Sequence, residues 1–282
     1  MATILDGKKV AGKLAEKVKE KVKFLNEQKI FPTLCVIEVG NDPASKIYLR
    51  VKRNLAKQVE INEKTINFDD DVKQDKLIDT IKELNNDPTI SAIMVQLPLP
   101  AHLDQSKIIE AIDPAKDADG FHPYNQGKLW QGNSQVIPAT VRSIMSLLNE
   151  YDIQLEGKNA LIIGRSIIVG KPLASQLLNK NATVTIAHSK TQNLSTLTKK
   201  ADIIISDVGQ AHLIKEDMIK NDVVLIDVGM NRENGKLLGD INFQTCLPKA
   251  SAITPVPGGV GPLTVASLMY QVVLLTENQN NG

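Results

Sequence analysis

The chain has 282 residues, of which 42% are hydrophobic and 23% charged, and its formal net charge is +1. This composition supplies a normal core for one large domain or two ordinary ones and excludes an intrinsically disordered chain. The near-balance of charge excludes bulk attraction to nucleic acid, and two widely separated cysteines, Cys35 and Cys246, allow at most one disulfide and fit a reduced cytoplasm better.

The stretch Met1 to Lys23 alternates lysines with apolar residues and lacks the apolar core of a signal peptide. No apolar run is expected to approach the ~20 residues of a membrane span. Asp6 is positioned to cap a first helix from about Lys8 to Phe24, with Val10, Leu14, Val18 and Val22 on one face. Thr33 to Val39 reads as a strand closed by Gly40, with Cys35 in the core. Asp42 followed by Pro43 signals a helix start, and that helix should reach about Gln58. Ile61 to Phe68 reads as a second strand. Asp70 and Asp71 are expected to cap a helix through Leu84. Ile90 to Val95 is a third, buried strand that ends at Gln96 and the turn Leu97 to Pro100. A short helix from about Ser106 to Ile112 and a polar loop, Asp117 to Tyr124, follow.

A helix from Thr140 to Tyr151 leads into a second alternating set, with strands near Leu161, Val184, Ile204 and Val224. Strands alternating with helices imply parallel sheets and right-handed crossovers, hence an α/β fold. Gly209 and Gly229 fall just past strand ends, where ligands enter open parallel sheets. Pro255 to Thr264 contains three prolines and three glycines. It reads either as a shaped loop presenting backbone to a ligand or as a plain surface loop. A last helix from Leu263 to about Thr276 is apolar on several faces and should be well packed.

Two places carry candidate chemistry. In Ala160 to Leu178 a buried strand ends at Gly164, Arg165 and Ser166 follow, and Gly170, Lys171 and Pro172 open a helix. One reading is a phosphate-binding corner built on free N–H groups and the helix dipole; the other is an ordinary strand-to-helix connection, since the spacing is not G-x-G-x-x-G. The next strand, Thr183 to Ala187, ends in His188, Ser189 and Lys190 with no acid to bind a ribose hydroxyl. With Arg165 these donors suit a 2′-phosphate, which favours NADP over NAD. The second place is Tyr48 and Lys52, four apart on one helix face, with Arg50 and Arg53 on the solvated side. Gln96 at a strand end and Asp119 in a polar loop should gather on the same sheet rim. No zinc-type spacing occurs.

The stretches GNDPASKIYLRVK, VQLPLP, DADGFH, GRSIIVGKP, HSKT and PVPGGVGP resemble, in order, the bifunctional methylenetetrahydrofolate dehydrogenase/methenyltetrahydrofolate cyclohydrolase family. The resemblance spans nearly the whole chain. It implies two α/β domains: a folate-binding catalytic domain over 1–138, completed by the last helix from about 263 to 282 packing back on it, and a Rossmann-like NADP domain over 139–262. It implies a cytoplasmic homodimer with the folate cleft between domains, no metal, and no nucleic-acid or membrane partner. The implied reactions are NADP-dependent oxidation of 5,10-methylenetetrahydrofolate to the methenyl form and hydrolysis of that to 10-formyltetrahydrofolate.

By the same resemblance Lys52 handles protons in the hydrolysis, Gln96 holds Lys52 without adding negative charge, Tyr48 packs on the folate, and Asp119 binds the pterin. Val95, Leu97, Pro257, Gly258, Gly259, Val260 and Gly261 complete the implied substrate contacts, the glycines belonging to a closing loop. Gly164, Arg165, Ser166, Ser189 and Met230 are the implied cofactor contacts. The chain departs from the family pattern at Ala139, Val141 and Ser143 after Pro138, at Asp207, and at Glu60, where a glycine usually ends the helix and where strain is therefore expected.

Overall fold

The structure is a computed structural model that describes residues 2–40, 43–233 and 235–280, with the backbone alone for 43–48. Its elements in chain order begin with β1 (Thr3–Ile4), α1 (Gly7–Glu27), β2 (Thr33–Val39), α2 (Pro43–Gln58), β3 (Asn62–Phe68), α3 (Gln74–Asn86), β4 (Ala92–Val95), α4 (Gln105–Glu110) and α5 (Pro123–Trp130). There follow α6 (Ala139–Glu150), β5 (Asn159–Ile163), α7 (Gly170–Leu178), β6 (Thr183–Ala187), α8 (Leu194–Thr198), β7 (Ile203–Ser206) and β8 (Val223–Asp227). The chain continues through β9 (Asn231–Glu233), β10 (Lys236–Leu238), α9 (Phe243–Cys246), β11 (Ala250–Ile253) and α10 (Val260–Asn280). Two compact units result: residues 1–11 with 140–264, and residues 12–139 with 265–282.

The unit of residues 12–139 and 265–282 holds a three-stranded parallel sheet in the order β3-β2-β4. Its central strand is buried at Leu34, Cys35, Val36 and Ile37, as an apolar run covered on both faces must be. One face packs against Val18 and Val22 of α1 and Leu268, Met269, Val272 and Val273 of α10; the other packs against Leu77, Ile81 and Ile108. Each fully buried aliphatic side chain here contributes roughly 1.5–3 kcal/mol. By length and composition alone α10 could cross a bilayer, which corrects the expectation that no segment approaches that length, but 67% of its most apolar stretch is buried inside the protein.

The other unit holds a six-stranded parallel sheet in the order β1-β11-β8-β7-β5-β6. The order reverses beside β5, because β6 lies on one side of it and β7 on the other. That is the switch point at which open α/β sheets bind ligands. The chain start joins this sheet, since β1 pairs in parallel with β11. A two-stranded antiparallel ribbon, β9 with β10, projects after β8.

Local chemistry explains several boundaries. Asp6 caps α1 as expected, its Oδ1 accepting from Lys8 N at 2.9 Å and Lys9 N at 3.1 Å. The cap expected at Asp42 lies outside the described residues. Asp70 and Asp71 do not cap α3; the residue before it is Lys73, which makes no side-chain cap. Val72 N instead closes a turn onto Asp69 O at 3.1 Å, which delays the helix. At the exit of α2, Glu60 adopts φ 63 while Ile61 N reaches Ala56 O at 2.9 Å. The left-handed helix cap is therefore kept without glycine, at a cost of roughly 1–2 kcal/mol. Cys35 and Cys246 are both buried and unpaired as thiols, with burial raising each to a pKa of about 11.

Candidate active site

The rim of the three-stranded sheet gathers Lys52, Gln96 and Asp119. Gln96 follows the last residue of β4, the buried Val95, and its N–H donates to Ile37 O at 2.9 Å, which continues the sheet ladder. Its side-chain amide is fixed at both ends: Nε2 donates to Leu97 O at 2.6 Å and Oε1 accepts from Lys52 Nζ at 3.1 Å. Lys52 arrives from α2 and also lies 3.3 Å from the Met94 sulfur. Both of these partners are neutral. Burial lowers the Lys52 pKa, opposed by the charges of Asp119 and Glu63.

Asp119 is held by a loop that Asp117 organises. Ile93 N donates to Lys116 O at 2.7 Å and Ala118 N to Ile93 O at 3.1 Å, so the loop runs beside β4. The buried Asp117 carboxylate accepts from Gly120 N, His122 N and Asn125 Nδ2, each at 2.9 Å. This leaves Asp119 partly buried, and burial pushes its pKa up to about 7; the Lys52 charge opposes that shift and the Asp117 charge adds to it. Burial thus drives both members of the Lys52–Asp119 pair toward their neutral forms. The Tyr48 side chain lies outside the described residues, although its backbone belongs to α2.

The rim of the six-stranded sheet gathers the cofactor candidates. Gly164, at φ 129, ends β5; a Cβ there would lie 2.6 Å from Asp207 O. A Cβ at Gly170 would lie 2.3 Å from Gly164 O, so both glycines are dictated by close backbone approach. The expectation of free N–H groups at this corner needs correction. Ser166 Oγ accepts from Val169 N at 3.0 Å and Gly170 N at 3.3 Å, and Ser166 O accepts from Lys171 N at 3.0 Å. Ser166 therefore caps α7 itself. What the corner presents to an anion is the exposed pair Arg165 and Ser166, with the helix dipole behind them.

Asp207, the unusual acid, accepts from the Ser166 hydroxyl; burial and the nearby Asp240 charge raise its pKa against that bond. After β6, His188 N donates to Thr191 Oγ1 at 2.8 Å and Lys190 N to His188 Nδ1 at 3.2 Å, which forms a turn that exposes Ser189 and Lys190. No acid occupies that strand end. Met230 is exposed in the loop between β8 and β9, and Ile167 and Val208, which sequence reasoning passed over, are exposed large apolar residues on neighbouring loops of the same rim.

The proline- and glycine-rich stretch is shorter than expected. Val260 and Gly261 belong to α10 rather than to a loop, because Pro262 is tolerated in a first helical turn. Pro257 is exposed and Gly258 and Gly259 are buried, with Gly7 N donating to Gly258 O at 2.9 Å. Sequence reasoning also passed over Met94, Asp117, Asp227 and Asp240, all polar or polarisable groups under the two rims. Among the described residues, no group of three or more His, Cys, Asp or Glu side chains could hold a metal ion.

Residues 5–119 match the family model of the tetrahydrofolate dehydrogenase/cyclohydrolase catalytic domain, and residues 138–280 match that of the tetrahydrofolate dehydrogenase/cyclohydrolase NAD(P)-binding domain. The chain is 63% identical over 280 residues to the bifunctional protein FolD of Lactobacillus gasseri, covering 99% of each. It is similar to the crystal structure of the bifunctional FolD methylenetetrahydrofolate dehydrogenase/cyclohydrolase of Campylobacter jejuni, with 43% identity, a TM-score of 0.98 and coverage of 99% of this chain and 100% of that one. The Trypanosoma brucei N5,N10-methylenetetrahydrofolate dehydrogenase–cyclohydrolase, solved with NADP cofactor and an inhibitor, gives 33% identity, a TM-score of 0.95 and coverage of 100% and 99%.

Proposed function

Because the chain belongs to the tetrahydrofolate dehydrogenase/cyclohydrolase family, we propose how its own residues divide the work of that bifunctional enzyme. The protein oxidises 5,10-methylenetetrahydrofolate with NADP and hydrolyses the methenyl product to 10-formyltetrahydrofolate. The observation that carries the assignment of roles is the Lys52 amine, held at 3.1 Å by a neutral amide and lowered in pKa by burial.

Hydrolysis adds water to the cationic methenyl carbon, and a base must take the proton. An ordinary lysine titrates near ~10.4 and is almost wholly charged at neutral pH. Burial of Lys52 shifts it toward the neutral amine, and Gln96 orients it without a carboxylate that would stabilise the ammonium. Asp119 offers two oxygens to the pterin edge, where donors on the ligand would draw its carboxyl back to the ionised form. Val95 and Leu97 of the same rim, with Tyr48 of α2 and Pro257 to Gly261, are assigned to substrate contact.

Hydride transfer needs no side-chain base, because the substrate nitrogen lone pair expels the hydride; orientation is the protein's part. NADP supplies the hydride acceptor when bound. The residues fit it: Gly164 admits close backbone approach, Arg165 and Ser189 are exposed donors, Ser166 holds the corner between them, no acid stands after β6, and Met230, Ile167 and Val208 offer apolar cover. The test is to supply methylenetetrahydrofolate with NADP or NAD and follow reduced cofactor, methenyl and formyl products together. NADP reduction followed by formyl product supports the assignment, and methenyl accumulation in the wild-type protein would remove Lys52 from its role. The working form is further proposed to be a cytoplasmic homodimer, as the family resemblance implies. Equilibrium sedimentation at the mass of one 30.8 kDa chain would refute the dimer.

A further inference from the structure

Two carboxylates that the reactions above do not use lie buried beneath the cofactor rim. Asp227 ends β8 and is 3% exposed; Asp240 follows β10 and is 0% exposed. Asp240 receives four donors. Its Oδ2 accepts from Ser206 Oγ at 3.0 Å and Val208 N at 2.8 Å, and its Oδ1 accepts from Gln210 N at 2.9 Å and Asn231 Nδ2 at 3.2 Å. Ser206 ends β7, Val208 and Gln210 belong to the loop after it, and Asn231 opens β9 after the β8 loop. One side chain therefore ties together the loops that follow two neighbouring strands.

Asp227 fixes the Asp240 backbone in turn. Its Oδ1 accepts from Gly229 N at 3.0 Å and Asp240 N at 2.9 Å, and its Oδ2 accepts from Ile241 N at 2.8 Å. The approach is close enough that a Cβ at Gly229 would lie 2.1 Å from Asp240 Oδ1. The tied loop includes Asp207, whose carbonyl packs on Gly164 at the switch point of the sheet, and the exposed Val208. The second tie, Asn231, adjoins Met230. All four groups facing Asp240 donate, so only an acceptor on both oxygens satisfies them; an asparagine would turn an NH2 toward two donors.

We infer that Asp240 is a positioning residue for the dehydrogenase reaction, setting the Asp207–Gln210 loop and the Met230–Asn231 segment at the cofactor rim through its four hydrogen bonds. This rests on the NADP reading of that rim. It predicts damage to one activity and not the other, because Lys52, Gln96 and Asp119 belong to the other compact unit.

The experiment compares wild type and Asp240→Asn in two assays: NADP reduction with methylenetetrahydrofolate, and hydrolysis of supplied methenyltetrahydrofolate without NADP. Loss of charge-assisted bonds and misplacement of the rim should lower dehydrogenase kcat/KM by about 10–100-fold, with a raised KM for NADP. Methenyl hydrolysis should stay within about twofold, because the lost bonds serve only the cofactor rim. Equal loss in both assays, or an unaffected dehydrogenase, would overturn the inference. If Asp240→Asn does not fold, Ser206→Ala decides. It removes one donor and should lower the dehydrogenase alone by about 3–10-fold; no selective loss there would overturn the inference as well. A wild-type protein that hydrolyses methenyltetrahydrofolate but does not reduce NADP would instead refute the cofactor reading, and this inference with it.

Discussion

The two sheet rims place different partners around a buried ionisable side chain. At the rim of the six-stranded sheet the fully buried Asp240 carboxylate faces four hydrogen-bond donors, two of them on each oxygen. At the rim of the three-stranded sheet the Lys52 amine lies against a neutral amide and a thioether, and burial dominates its pKa. Donors on both oxygens make Asp240 a tie between loops, whereas neutral partners leave the Lys52 amine where desolvation competes with its ionised form. The proton-handling residue and the loop-holding residue are thus told apart by their partners rather than by depth alone.

The sharpest way to break this contrast is to remove the amine. Lys52→Met should lower methenyl hydrolysis by about 10²–10⁴-fold, the usual worth of a positioned acid–base group. NADP reduction should remain measurable, so the methenyl product accumulates and is seen by its absorbance. Normal hydrolysis in the variant would end the claim for Lys52. The same change tests the energetics. A lysine whose folded pKa is lowered penalises the fold while the unfolded chain still holds the proton, so the variant should melt higher than wild type at pH 7, with the gain fading as pH rises toward the unfolded lysine pKa near 10.5 and gone above it.

At the other rim Arg165→Ala should weaken NADP by about 10–100-fold, the worth of a charge-assisted phosphate contact, and leave NAD nearly unchanged. Dissociation constants for the two cofactors, measured by fluorescence quenching, check this. Equal weakening would deny a 2′-phosphate contact.

A smaller effect concerns pH. Asp119 moves from 3.8 in the unfolded chain to about 7 in the fold, so the folded state binds the extra proton between those values. Stability contributed by this group therefore rises as pH falls from 7 toward 4, with a slope of at most about 1.4 kcal/mol for each step of one in pH. Asp227, also pushed up to about 7 by burial, adds a slope of the same sign. Asp119→Asn should flatten the dependence of urea midpoint on pH across that window and raise the midpoint at pH 8; an unchanged slope would contradict the raised pKa.

Much of the fold is legible in the sequence. Strands Thr33–Val39 and Thr183–Ala187 and helix Pro43–Gln58 occur at the residues their apolar runs and the Asp42–Pro43 signal predict. What escaped is short or paired over long distances. β1 has two residues and exists because β11 lies beside it 249 positions on, at Thr3↔Ala252 and Ile4↔Ile253. For the β9–β10 ribbon the sequence does carry a hairpin signal, the dipeptide Asn234–Gly235. α5 starts where His122 Nδ1 caps Tyr124 N at 3.0 Å, an unusual capping residue.

The site divides in the same way. The Lys52–Gln96 bond follows from strand-end placement and family resemblance. The Asp240 ties do not, because its partners lie 9 to 34 positions away in loops whose meeting is set by tertiary structure. The available signal was each acid standing close to a glycine, Asp227 with Gly229 and Gly239 with Asp240, which permits a carboxylate to approach backbone closely.

The claim on which the account turns is that burial lowers the Lys52 amine beside a neutral partner, and it can be read directly. Titration of the Lys52 Nζ signal in selectively ¹⁵N-lysine-labelled protein, assigned by its loss in Lys52→Met, should give a midpoint below 10.5. A midpoint at or above 10.5 would show an ammonium that the fold stabilises, and would contradict the assignment of Lys52 as the base.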